Sequence, residues 1–195
     1  DGNNVFLSKM STLCKQFNNV VISTWDHEDS NVWMDQLSKY DNVKIFSQEL
    51  PPKPLINTGE PYKGILAQST FYWACLSTLN GLKESEAEYI IKMRSDEYYE
   101  DFSIIKKELR KSNNKFICGN IFYKRVHKGS PYHIGDHVYG CKREPILRGL
   151  TEAVKYYSKH IKSDMIENAQ DIDQCLVPAE IVLANIWMIG MQIPR

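Results

Sequence analysis

The sequence has no surplus of charge of either sign: 24 Lys and Arg are matched by 24 Asp and Glu over 195 residues. That balance removes the overall basic field that would argue for a nucleic-acid partner, and no basic amphipathic segment argues for a membrane surface. Long hydrophobic runs are missing as well. None approaches the roughly 20 residues that span a bilayer, and no charged-then-apolar signal segment opens the chain. The five cysteines, Cys14, Cys75, Cys118, Cys141 and Cys175, stand singly, without the close pairs of a zinc site or a disulfide framework. They read as reduced, buried thiols and favour a cytoplasmic compartment. Peripheral association with a membrane is compatible with all of these absences.

Familiar chemical signatures are absent too. There is no GxGxxG and no GxxxxGK[ST], so neither the dinucleotide fingerprint nor the P-loop is present. The GxSxG elbow and the HExxH helix are also missing, which leaves hydrolase readings without their usual markers. No internal repeat, low-complexity tract or linker interrupts the chain. With 43% hydrophobic and 25% charged residues, the composition fits one domain with a proper core.

What is present is an alternation of helices and short apolar strands. Phe6, Met10, Leu13, Cys14 and Phe17 recur at helical spacing, Asn18-Asn19 closes that helix, and Val20-Val21-Ile22 begins a strand. Trp33, Met34 and Leu37 predict a second helix, followed by a strand over Val43 to Phe46 and a proline-rich loop, PPKPLINTGEPYKG. A long helix is predicted from about Ile65 to Leu79, stopped at Asn80-Gly81, before a strand over Tyr89 to Met93. Helix Phe102 to Lys111, strand Lys115 to Cys118, a loop or hairpin to Gly135, strand His137 to Cys141 and helix Arg143 to His160 follow. A last helix has Pro178 near its first turn.

This order predicts an α/β fold, a mixed but mostly parallel sheet flanked by helices on both faces. A doubly wound fold normally opens with a strand, whereas this chain opens on a helix; the first strand is expected before Asp1.

Three strand ends carry the chemistry: STWDHED at 23–29, RSDEYYED at 94–101 and SPYHIGDHVYG at 130–140. In a parallel sheet the first two share one rim, where ligands of open α/β sheets bind. Asp96 suits Mg²⁺ or Mn²⁺, hard cations that often take one or two protein carboxylates and complete their shell with phosphates and water. Arg94 either holds phosphate or pairs with a neighbouring carboxylate. Against this stands a plainer reading of the same residues, a strand end followed by acids at a helix N-terminus. Trp25 and Asp26 fit a nucleoside pocket, or equally a core tryptophan beside an N-cap. His27, His133 and His137 are isolated and read as surface or core residues. Phe71, Tyr72 and Trp73 read as packing residues.

Taken in order, VVISTWDHED, AQSTFYWACLSTLNGL, YIIKMRSDEYY, GDHVYGCKREPI and PAEIVLANIWM resemble the WavE-like glycosyltransferases of lipopolysaccharide and capsule synthesis, a group with a GT-A type, Rossmann-like fold. The similarity extends over most of the chain. It implies donor-site roles for Thr24, Trp25 and Asp26, for Gln68, and for Arg94-Ser95-Asp96, an R-[ST]-D sequence replacing the usual DxD, with Asp96 as the metal ligand. Asp136 and Glu180 are the two candidates for a catalytic base. The family's opening strand, with its glycine-proline turn, is absent here, and no second Asp stands two residues before Asp96.

The resemblance implies a single domain, with residues 1–97 binding a nucleotide-diphosphate sugar and residues 98–195 a glycan or glycolipid acceptor. It implies sugar transfer in surface polysaccharide synthesis, with Mn²⁺ or Mg²⁺ as cofactor and no nucleic-acid partner. The rivals are a noncatalytic nucleotide- or glycan-binding module of a larger assembly, and a metal-dependent phosphoesterase.

Overall fold

The computed structural model describes residues 10–26, 31–52, 55–57, 66–68, 71–94, 97, 99–111, 115–119, 137–159 and 179–192. Its first helical turn, α1 (residues 10–14), leads into β1 (Val20–Trp25), α2 (Asn31–Leu37) and β2 (Val43–Gln48). Two short strands follow, β3 (Leu55–Asn57) and β4 (Leu66–Gln68), then α3 (Phe71–Lys83) and β5 (Tyr89–Met93). The remainder is α4 (Ser103–Lys111), β6 (Ile117–Cys118), β7 (Val138–Lys142), α5 (Arg143–Ser158) and α6 (Ala179–Gly190).

β1 and β2 pair in parallel, from Val20 opposite Val43 to Trp25 opposite Gln48, with α2 as the crossover. Because strand side chains alternate, Val20, Ile22, Val43 and Ile45 share one face, and there Cys14 of α1 and Leu37 of α2 are buried against them. The Asn42 amide donates to the Cys14 and Phe17 carbonyls, both at 2.7 Å. It thereby satisfies carbonyls that the end of α1 leaves without helical partners.

The second sheet has the order β5-β7-β6, and β7 is antiparallel to both neighbours. β7 is its centre. Tyr139 and Cys141 face a core made with Cys75, Leu79 and Leu82 of α3, Ile146 and Leu150 of α5, and Ile186 and Trp187 of α6. On the other face Val138 packs with Phe102 and with Leu13 of α1. Gly140 is where α4 comes closest: a Cβ there would meet Ile105 Cγ2 at 2.6 Å and Leu109 Cδ1 at 3.0 Å. Lys106 adds a bond from its ammonium to the Gln16 carbonyl at 2.5 Å and lies 4.1 Å over the Phe17 ring, fastening α4 to the end of α1.

The α/β class and most element positions agree with the sequence reading; the sheet differs. Among the described strands only β1 and β2 are parallel, and β3–β4, β5–β7 and β6–β7 are antiparallel. β5 and β6, linked through α4, do run the same way, but β7 inserts between them in the opposite sense. The proline-rich stretch is not wholly loop, since Leu55–Asn57 pairs with Leu66–Gln68. Residues 66–68 are thus lost to the predicted helix, which starts at Phe71 and runs past the expected stop to Lys83. Gly81 serves packing instead: a Cβ would lie 3.3 Å from Ser23 Cβ, so its absence lets α3 rest closely on β1.

Cys14, Cys75 and Cys141 are buried free thiols, as expected, and Cys118 is a half-buried one; Cys175 lies outside the described residues. Burial pushes the Cys75 thiol up to about 12, and raises those of Cys14 and Cys141.

α5 begins directly on β7. Lys142 is extended, at φ −67° and ψ 132°, and Arg143 is already helical, with Pro145 in the first turn where a missing N–H costs nothing. α5 and α6 then meet backbone to backbone. A Cβ on Gly149 would collide with the Ile186 carbonyl, and one on Gly190 with that of Pro145. Arg148 donates to the Gly190 carbonyl from Nε at 3.1 Å and from Nη2 at 2.6 Å. Gly149→Ala is therefore expected to lower stability by about 1–3 kcal/mol through overpacking, read as a lower urea midpoint at unchanged slope.

Candidate functional site

The ends of β1 and β5 border one cavity of about 1110 Å3. From β1 come Ser23 and Trp25, from α3 Trp73, and from the residue following β5 Arg94. The two rims expected to converge therefore do so, although their strands belong to different sheets in the structure.

A polar network holds the β1 side. Ser77 donates to Ser23 Oγ at 3.0 Å, Gln48 Nε2 to the same oxygen at 3.2 Å, and Asn80 Nδ2 to Gln48 Oε1 at 2.5 Å. These four residues fix α3 against the carboxyl ends of β1 and β2. Ser23 opens the STWDHED strand end, but Gln48 and Ser77 were not singled out by sequence chemistry, and Asn80 was read only as a helix stop. Trp73, read as a packing residue, is half-buried, donates its indole N–H to the Pro51 carbonyl at 2.8 Å and also borders the cavity. Tyr72 is buried as expected, beside Tyr157.

The proposed donor residues divide by position. Thr24 is buried, only 2% exposed, and does not border the cavity. Trp25 is half-buried at its edge, and Asp26 is exposed, held by a backbone bond from its N–H to the Gln48 carbonyl at 2.8 Å. Gln68 sits in β4 opposite Leu55, in a sheet separate from β1 and β5. Arg94 is exposed, and its N–H donates to the His137 carbonyl at 3.1 Å. Ser95, Asp96 and Asp136 lie outside the described residues, as do His27 and His133. Glu180 is in the first turns of α6, and its side chain lies outside the described ones.

The β5 side holds a cluster that the sequence concealed. Glu97 pairs through Oε1 with His137 Nδ1, and Tyr99 donates its hydroxyl to Glu97 Oε2 at 2.6 Å. His137 is therefore not isolated, and Glu97 is not a solvated acid. Burial works to raise the Glu97 carboxyl, but the hydrogen bonds from Tyr99 and His137, with the charges of His137 and Arg94, outweigh it and hold the group below its ordinary value. Asp101 does match its expected role at a helix start: it accepts from the Ser103 N–H at 2.7 Å and from the Ser103 hydroxyl at 2.5 Å.

This cluster bears on metal binding. Each Glu97 oxygen already has one partner, Oε1 with His137 and Oε2 with Tyr99. Among the described residues no group of three His, Cys, Asp or Glu could hold a metal ion. A hard cation at this rim would depend on Asp96 together with substrate phosphates, a donor set that such ions accept.

Residues 61–193 match the family model described as WavE lipopolysaccharide synthesis. That span is more than half of the chain, and the chain belongs to this family. No curated protein and no solved structure matches it. Lipopolysaccharide synthesis points to sugar and glycan partners. Among the described residues, no helix is long and apolar enough to cross a membrane.

A carboxyl with a lowered folded pKa adds stability above its unfolded value, about 4.3 for Glu, and loses it as pH falls through the folded value. Glu97→Gln should thus be destabilising at pH 7, with the penalty fading below about pH 4. Urea titrations of both proteins at neutral and acid pH test this; a pH-independent difference would contradict it.

Proposed function

We propose that the chain is a glycosyltransferase with a single GT-A type domain, moving a sugar from a nucleotide-diphosphate donor to a glycan or glycolipid acceptor. The observation that carries this reading is membership of a lipopolysaccharide synthesis family, because building such a polymer is chemically a series of glycosyl transfers. The convergence of Trp25 and Arg94 on one cavity supports a donor site there.

In this reading residues 1–97 hold the donor and residues 98–195 the acceptor. The Trp25 ring covers the nucleoside, the Asp26 carboxylate accepts from a ribose hydroxyl or a base N–H, and Arg94 binds a phosphate oxygen. Ser95 and Gln68 complete the donor contacts. Asp96 would hold Mn²⁺ or Mg²⁺, which supplies positive charge to a departing diphosphate. Asp136 or Glu180 accepts the proton of the acceptor hydroxyl if transfer inverts the anomeric centre. Asp136 directly precedes His137, and Asp96 follows Arg94 by two residues. The bond between Arg94 and His137 favours assigning both carboxylates to one site.

Donor binding is expected to raise the melting temperature in a screen of nucleotide sugars, more so with Mn²⁺. Asp96→Ala should remove the metal-dependent part of that shift and of turnover; an unchanged response in a folded variant would refute the metal assignment. Of Asp136→Asn and Glu180→Gln, the variant lacking the working base should lose about 10²- to 10⁴-fold in kcat while still binding donor. Full activity in both would eliminate both. Tight donor binding without any turnover in the unaltered protein would favour the noncatalytic module instead.

A further inference from the structure

The exit of β5 and the entry of β7 are joined by more than their ladder. The last backbone bond between them runs from the Arg94 N–H to the His137 carbonyl at 3.1 Å. Strand ends fray where nothing lies beyond such a bond, because opening it costs little. Here a second connection lies beyond it, between the His137 imidazole and the Glu97 carboxylate. A third closes the figure, since the Glu97 N–H donates to the Arg94 carbonyl at 3.4 Å. Arg94, Glu97 and His137 therefore form a closed triangle of bonds.

The chemistry of the pair fixes its polarity. Burial opposes ionisation of Glu97, but the bonds from Tyr99 and His137 outweigh it and keep the group a carboxylate near neutral pH. A carboxylate only accepts, so His137 Nδ1 is the donor in their bond, while Tyr99 donates to the other oxygen. The His137 and Glu97 side chains are only 21% and 22% exposed, which limits competition from water.

Both ends of this bond are anchored in the core. Tyr99 lies against the buried Phe102, their ring centroids 5.9 Å apart, and Phe102 packs with Val138. Val138 directly follows His137, is itself buried, and accepts at its carbonyl from the Gly119 N–H at 2.9 Å. The register of β5 on β7 is already set by five residue pairs, from Tyr89 opposite Lys142 to Met93 opposite Val138. The Glu97 bond is not needed for that register; what it fixes is the chain beyond the ladder.

That chain is chemically loaded. Only Ser95 and Asp96 separate Arg94 from Glu97 in sequence, and Asp136 is joined by one peptide bond to His137. We propose that Glu97 is a positioning residue: through the His137 imidazole it holds the chain leaving β5 against the chain entering β7, and so sets the spacing of the Asp96 and Asp136 carboxylates. This rests on the sugar-transfer reading, in which Asp96 holds the metal and Asp136 takes the acceptor proton. The role requires neither Glu97 nor His137 to touch substrate. It matters because a misplacement of about 1 Å in a catalytic constellation can cost about 10²-fold in rate.

The test separates this role from a structural one and from direct catalysis by His137. In His137→Asn the amide nitrogen stands where Nδ1 stands and still donates to Glu97; in His137→Gln it stands near the place of Nε2 and does not. Turnover is read in the intact protein as nucleoside diphosphate released from the nucleotide sugar that most raises its melting temperature. Per folded molecule, Glu97→Ala and His137→Gln should each lower kcat by about 10- to 100-fold, as loss of a group supporting a metal site does. The donor KM should stay unchanged, because the ground-state contacts remain. His137→Asn should keep most of kcat, and the double variant Glu97→Ala/His137→Gln should lose no more than either single one. Equal loss in His137→Asn and His137→Gln would make His137 itself a reacting group. Full kcat in Glu97→Ala with only a lowered urea midpoint would make the bond structural. Either result overturns the proposal. Hydrogen exchange judges the triangle without turnover: in Glu97→Ala the amides of residues 94 and 97 should exchange faster while those of 89–93 stay protected, and unchanged exchange also overturns it. Absence of turnover in the unaltered protein with every nucleotide sugar would refute the transferase reading and this role with it, a result distinct from an active protein whose variants behave otherwise.

Discussion

The close approach of α3 to β1 is the constraint on which the rest of the structure depends. With no side chain at Gly81, and with Ser77 hydrogen-bonded to Ser23, the helix can lie on the β1–β2 unit while its opposite side enters the main core through Cys75, Leu79 and Leu82. One helix thus registers two sheets that share no backbone ladder among the described residues. The rim inherits its geometry from that contact, because Ser23 and Trp25 stand on one sheet and Arg94 on the other.

Near-complete agreement between sequence and structure occurs where the decisive interactions are local. Tyr89–Met93 was legible with its bounds because an apolar run is flanked by polar residues on both sides. The helices after Phe102 and Cys141 were legible from apolar spacing. Failures occur where a distant partner decides. Residues 66–68 carry no signal that distinguishes the start of a helix from a strand, and only pairing with Leu55–Asn57 makes them extended. Gly81 looks like a stop because glycine weakens helices, but packing against β1 outweighs that local cost.

The site shows the same division. That Trp25 and Arg94 would border one space could be anticipated from the rule that ligands gather at the carboxyl ends of strands in α/β sheets, although their strands lie in separate sheets here. The bond of Glu97 to His137 could not, since it exists only because Met93 stands opposite Val138 in an antiparallel ladder whose register no local pattern encodes. Gln48 and Asn80 are equally silent in sequence, ordinary amides until α3 brings them within 2.5 Å of each other. The carboxylates with the sharpest chemical assignments, Asp96 and Asp136, were chosen by motif, and they adjoin residues that the ladder joins.

The junction of β7 with α5 also bears on how the molecule can move. No residue intervenes between the strand and the helix, and Arg143 is clamped by its N–H to the Glu88 carbonyl at 2.8 Å and by its Nε to the Leu82 carbonyl at 3.1 Å. A joint so short and so fastened has no hinge. The strand that begins beside His137 and the helix pair packed through Gly149 and Gly190 are therefore joined without a flexible connection, so the rim and the α5–α6 packing share one continuous stretch of backbone.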